Sequence, residues 1–127
     1  MTANGFGTAL TKLRERRTLS IRELSTLAGV DHAYVYRLEA GEKTNPSDDA
    51  IAKLIKGLKP SDRDARVLKW LAEHADADAK LVLHVLDDAT VTFEEFATAA
   101  ASVHRGSVRP EPAKLIERVR KILSEED

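Results

Sequence analysis

Between Ser20 and Gly41 the chain starts and stops a helix twice in quick succession, and this punctuation constrains its fold more than any other feature. Ser20 and Glu23 form a capping box, in which the serine hydroxyl accepts from the amide of residue 23 while the Glu23 carboxylate accepts from the amide of residue 20. Ile21, Leu24, Leu27 and Ala28 then recur at helical spacing. Gly29 supplies the positive φ that ends a helix without a Cβ clash. A second helix starts at once. Asp31 is placed to accept from the amide of Ala33 or Tyr34, and Val35 and Leu38 give that helix a buried side before Gly41 stops it.

Two helices joined across three or four residues with a central glycine form the helix-turn-helix, whose second member enters the major groove of DNA. The wider order of residue types resembles the Cro/phage-repressor (XRE) family from about Phe6 to Leu58. Leu10-x-x-Leu13-Arg14 sits in a first helix, Ser20-x-x-Glu23-Leu24 opens the second, and Gly29-Val30 makes the turn. Tyr34-Val35-x-Arg37-Leu38-Glu39-x-Gly41 forms the third helix, and Asn45-Pro46-Ser47 starts the fourth. The resemblance implies a compact four- or five-helix domain and sequence-specific operator binding.

The periodicity predicts an all-α chain: a five-helix helix-turn-helix head followed by a small helical C-terminal dimerisation bundle. Helices are expected over about 6–17, 21–28, 31–40 and 47–58. Pro60 cannot continue a helix and Ser61 can cap the next, so the sequence divides into 1–59 and 60–127. Further helices are expected over about 62–75, 79–86 and 93–104, the last opened by a Thr92/Glu95 capping box. A final amphipathic helix follows Pro110-Glu111-Pro112. Hydrophobic residues make up 43% of the 127, enough for a real core. Cysteine is absent, and no long apolar run or signal-peptide pattern appears, so the expectation is a cytoplasmic protein with no membrane partner. The net charge is −1 but unevenly spread: residues 1–59 hold ten Lys/Arg against seven Asp/Glu, and residues 60–127 hold ten against fourteen. The head is thus mildly basic, and affinity for DNA should depend on placement and on two copies rather than on bulk charge.

Helix geometry puts His32, Ala33, Tyr36 and Arg37 on the exposed side of the third helix, away from Val35 and Leu38, as candidates to read base edges. The Arg37 fork can donate to both O6 and N7 of guanine, or it is a solvated surface arginine. His32 suits a base, a phosphate or inert surface, and Ala33 is small enough to touch a thymine methyl. By the family resemblance, Ser20 and Arg22 with the free amides of the second helix form one phosphate clamp, and Lys43, Thr44 and Asn45 form another. Tyr34 packs against the end of the second helix or touches a phosphate. Arg16 and Arg17 lie near this charge, Arg16 reading better as a hydrated surface residue. The resemblance also makes Arg14 and Glu39 a structural pair between the first and third helices.

Leu115, Ile116, Val119, Ile122 and Leu123 form one stripe on the last helix. It suits a dimer interface, or it closes its own domain's core. The segment from Thr92 to Gly106 with Arg109-Pro110 is similar to the C-terminal hairpin of DdrO-type repressors. That similarity implies an alternative in which an ImmA/IrrE-type metalloprotease inactivates the protein by cutting near Arg105-Gly106. An antitoxin whose distal helices bind a toxin is a second alternative, and a protein-interaction module that has lost DNA contact is a third. Catalysis lacks support: His32, His74, His84 and His104 show no His-x-x-x-His or His-Glu-x-x-His spacing, and there is no glycine-rich phosphate loop. No enzyme activity, metal or cofactor is expected; the expected partners are a double-stranded DNA operator and a second copy of the chain.

Overall fold

The computed structural model describes residues 4–102 and 110–125. These form α1 (Gly5–Arg16), α2 (Ile21–Ala28), α3 (His32–Ala40), α4 (Asp48–Leu58), α5 (Asp62–Glu73), α6 (Ala79–Asp87), α7 (Phe93–Ala101) and α8 (Pro112–Glu125). No strand occurs among the described residues, and none of their helices is long and apolar enough to cross a membrane.

Most helix starts follow from local hydrogen bonding. Both capping boxes form, Ser20 with Glu23 and Thr92 with Glu95. Ser47 caps α4 through the amide of Ala50, and Ser61 caps α5 through the amide of Asp64. The cap expected from Asp31 is a correction. Its carbonyl accepts from Val35, but its side chain makes no cap hydrogen bond, and the carboxylate lies 4.0 Å from Nδ1 of His32 instead. At the other ends, Gly29 adopts φ 74° as expected for a left-handed stop. Lys59 does the same at φ 49°, a conformation costing a non-glycine residue about 1–2 kcal/mol, after which Pro60 forbids continuation. The helix expected to run to residue 104 ends at Ala101 within the described residues, and His104 lies outside them.

Helix α1 is the hub. It packs on α3, α5 and α6, while α2 packs on α3 and α4 and α7 packs on α5 and α8. Two glycines allow this approach: a Cβ on Gly7 would collide with the Glu39 carbonyl of α3, and one on Gly5 would come within 2.6 Å of the Ala77 carbonyl oxygen. The Gly5 amide bonds the Ala75 carbonyl at 2.8 Å. The chain turns at 59–61, yet the residues on both sides share one core. Phe6, Leu10, Leu24, Leu38 and Leu54 belong to the same buried cluster as Val67, Leu68, Leu71, Val85 and Phe96.

The terminal stripe packs largely on the chain's own core, the second of the two readings its spacing left open. Leu115, Ile116 and Val119 are buried within this cluster and Leu123 is partly buried against it, so four of the five residues pack within the chain's own fold. Ile122 keeps 52% of its surface exposed. The Arg105-Gly106 segment lies outside the described residues.

Candidate nucleic-acid interface

Helix α3 is held from below and open above. Val35 and Leu38 are fully buried, whereas His32, Tyr36 and Arg37 are exposed and Ala33 is half-buried. With helical period 3.6, burial at 35 and 38 turns 32, 33, 36 and 37 toward the other side. The guanidinium of Arg37 has no partner among the described residues. Its backbone is tied down, because the Arg37 carbonyl accepts from the amides of Glu42 at 2.9 Å and Lys43 at 3.2 Å. The loop after α3 is therefore fastened to the last turn of α3.

That loop brings Lys43 over the ring of Tyr34, with Nζ 5.6 Å from the ring centre, inside cation–π range. Partial burial pushes the Tyr34 hydroxyl's pKa above its ordinary value, so the tyrosine stays a neutral donor at physiological pH. Lys43, Thr44 and Asn45 are exposed, and Asn45 adopts a left-handed φ of 53°. On α2, the Ser20 hydroxyl takes the amide of Glu23 at 3.0 Å. The amides of Ile21 and Arg22 have no acceptor within the helix, as first-turn amides do not. Exposed Arg22 and Ser20 stand beside them.

Beneath the surface, Arg14 and Glu39 lock α1 to α3. Arg14 Nε donates to Oε2 at 2.7 Å and Nη2 to Oε1 at 3.0 Å, a bidentate fork. Arg14 Nη1 also donates to the Leu19 carbonyl at 2.7 Å. Hydrogen bonding to Glu39 outweighs the opposing effect of burial and raises the Arg14 pKa above its ordinary value.

Two neighbouring arginines have other partners than the surface reading gave them. Arg16 is not simply hydrated: Nη1 meets Asp64 at 3.0 Å and Nη2 donates to the Leu86 carbonyl at 2.7 Å. Arg17 Nη1 donates to the Gly57 carbonyl at the end of α4, 2.6 Å away. Neither partner is local in sequence, so no spacing rule announces either one. Among the described residues no cluster of His, Asp or Glu is arranged to hold a metal ion.

Residues 6–68 match a family model described as a helix-turn-helix domain. Over 54 residues the chain is 41% identical to the HTH-type transcriptional repressor RghR of Bacillus subtilis (strain 168), a stretch covering 42% of this chain. The matched stretch spans 40% of that relative's length.

Proposed function

Residues 6–68 are a helix-turn-helix domain of the XRE type, and from that premise we propose that the protein is a sequence-specific DNA-binding transcriptional regulator: a homodimeric repressor that reads a palindromic operator through α3. The observation that carries this reading is Arg37, an exposed guanidinium without a partner among the described residues, on a helix whose opposite face is fully buried. A planar fork held this way matches O6 and N7 of a guanine in the major groove. His32, Ala33 and Tyr36 share its face and complete the base-reading set.

Phosphate contacts fix the register. Arg22, Ser20 and the first-turn amides of α2 serve one strand, and Tyr34 with Lys43, Thr44 and Asn45 serves the other side of the recognition helix. Two copies on a twofold axis would place their α3 helices about 34–36 Å apart, and joining two modest contacts in this way multiplies affinity. The relative's description as a transcriptional repressor favours repression over activation.

Selection of bound duplexes from a random pool at stated salt tests the reading. A palindromic consensus with half-sites one helical turn apart is expected, and Arg37→Ala should lose preference at a base pair in each half-site while keeping salt-dependent non-specific binding. Failure of folded protein to enrich any sequence would overturn the proposal.

A further inference from the structure

Helix α3 starts differently from its neighbours. Asn4, Ser20, Ser47, Ser61, Asp78 and Thr92 each turn a side-chain oxygen back to accept an amide in the first turn of the helix they open. Asp31 holds the same position before α3, with the extended backbone of an N-cap, and makes no such bond. The helix forgoes the stabilisation that an aspartate brings there. The side chain of Asp31 is 71% exposed, and its carboxylate stands 4.0 Å from Nδ1 of His32, beyond hydrogen-bond length. Its acceptor positions are therefore open, beside His32 at the leading end of the helix whose exposed side carries Ala33, Tyr36 and Arg37.

A carboxylate at that place is chemically selective. When ionised it accepts hydrogen bonds and donates none, so it gains nothing from a phosphate and is repelled by one. The first residues of a recognition helix meet base edges, and in the major groove N7 and O6 of guanine, N7 of adenine and O4 of thymine are all acceptors. The donors are N4 of cytosine and N6 of adenine, and on adenine the acceptor N7 lies beside the donor. Cytosine is the base that answers an open carboxylate without placing an acceptor against it.

We propose that Asp31 is a specificity-determining residue, which accepts from N4 of a cytosine in each half-site and rejects the other bases there. The proposal rests on the reading of α3 as the recognition helix. Arg37 lies six residues further on, a rise of about 9 Å, so its guanine and the cytosine of Asp31 belong to different base pairs.

Full-length protein, Asp31→Ala, Asp31→Asn and Arg37→Ala are each used to select bound duplexes from a random pool at the same stated salt. The wild-type consensus should contain a cytosine in each half-site that survives Arg37→Ala. Asp31→Ala should lose about tenfold or more of the preference for that cytosine while keeping the guanine that depends on Arg37, and the retained guanine verifies that the variant is folded and docked. Asp31→Asn adds a donor able to meet N7 and should admit adenine at the same position. An Asp31→Ala consensus identical to the wild type, a change in affinity uniform across sequences, or an Asp31→Asn variant that still excludes adenine would overturn the proposal while leaving the DNA reading in place. A wild type that enriches no sequence would instead overturn the DNA reading, and this assignment with it.

Discussion

Arg14 and Arg37 carry the same charge and do opposite work. Arg14 spends its donors inside the protein, on both oxygens of the nearly buried Glu39 and on the Leu19 carbonyl. Arg37 spends none of its side-chain donors on the described residues. Removing Arg14 strands a carboxylate in the interior, so Arg14→Ala is expected to cost about 3 kcal/mol of folding stability while leaving the preferred operator sequence unchanged. Arg37→Ala should change stability by less than about 0.5 kcal/mol and cost about 1–3 kcal/mol of operator discrimination. Denaturant titration and duplex binding of the two variants check both halves of the contrast. Equal melting temperatures with altered base preference in Arg14→Ala would overturn the structural assignment of that residue.

At the scale of elements, what was legible in the sequence is what is local. The two capping boxes, the left-handed Gly29 and the Pro60 break each depend on residues within four positions of one another, and all form as their spacing implies. Asp31 caps α3 through its backbone carbonyl alone, and its side chain makes no cap hydrogen bond, a choice of rotamer that spacing does not decide. The pinning of α1 and the α6–α7 turn to α5 was not legible at all. There the buried Asp64 accepts from Arg16, 48 positions earlier, and from Arg63 at 2.8 Å, while Arg63 also donates to the carbonyls of Asp88 and Val91. Asp64→Ala is expected to lower stability by about 2 kcal/mol. This is below the usual cost of breaking a buried pair because Arg16 is partly exposed and can recover water. A lower denaturant midpoint at constant slope would register the loss. The caps add a pH dependence. The amide and hydroxyl of Ser20 hold the Glu23 carboxyl below its ordinary pKa, and the hydroxyl and amide of Thr90 do the same for Asp88. A depressed folded pKa contributes stability that is present above the unfolded value, near 4, and is lost as pH falls through the folded one. The thermal midpoint should therefore hold from pH 7 to about 5 and fall below about 4, with a shallower fall in Glu23→Gln. A midpoint flat to about pH 3 would contradict this account of the caps.

For the whole molecule, the two segments differ in charge and share a core. The 60–127 segment is therefore more than an appendage: α5 and α6 pack directly on α1, which in turn carries the Arg14 lock beneath α3. This continuity also limits where a second copy can bind, because most of the α8 stripe is already packed internally. The large apolar side chains left exposed among the described residues are Leu27, Tyr36, Leu83 and Ile122. Leu27 and Tyr36 belong to the helix pair proposed to face DNA. That leaves Leu83, 38% exposed on α6, and Ile122 on the adjoining α8 as the apolar positions open to a partner. In the proposed homodimer, Ile122→Lys is expected to shift sedimentation toward the monomer and to weaken operator binding at constant salt. Its stability should change by less than about 0.5 kcal/mol, as for a surface substitution. Val119→Lys, by contrast, places an unpaired charge in the core and should unfold the protein. If Ile122→Lys remains a dimer with undiminished operator affinity, the partner contact lies away from the α6–α8 edge, and the expectation of dimerisation through the last helix fails with it.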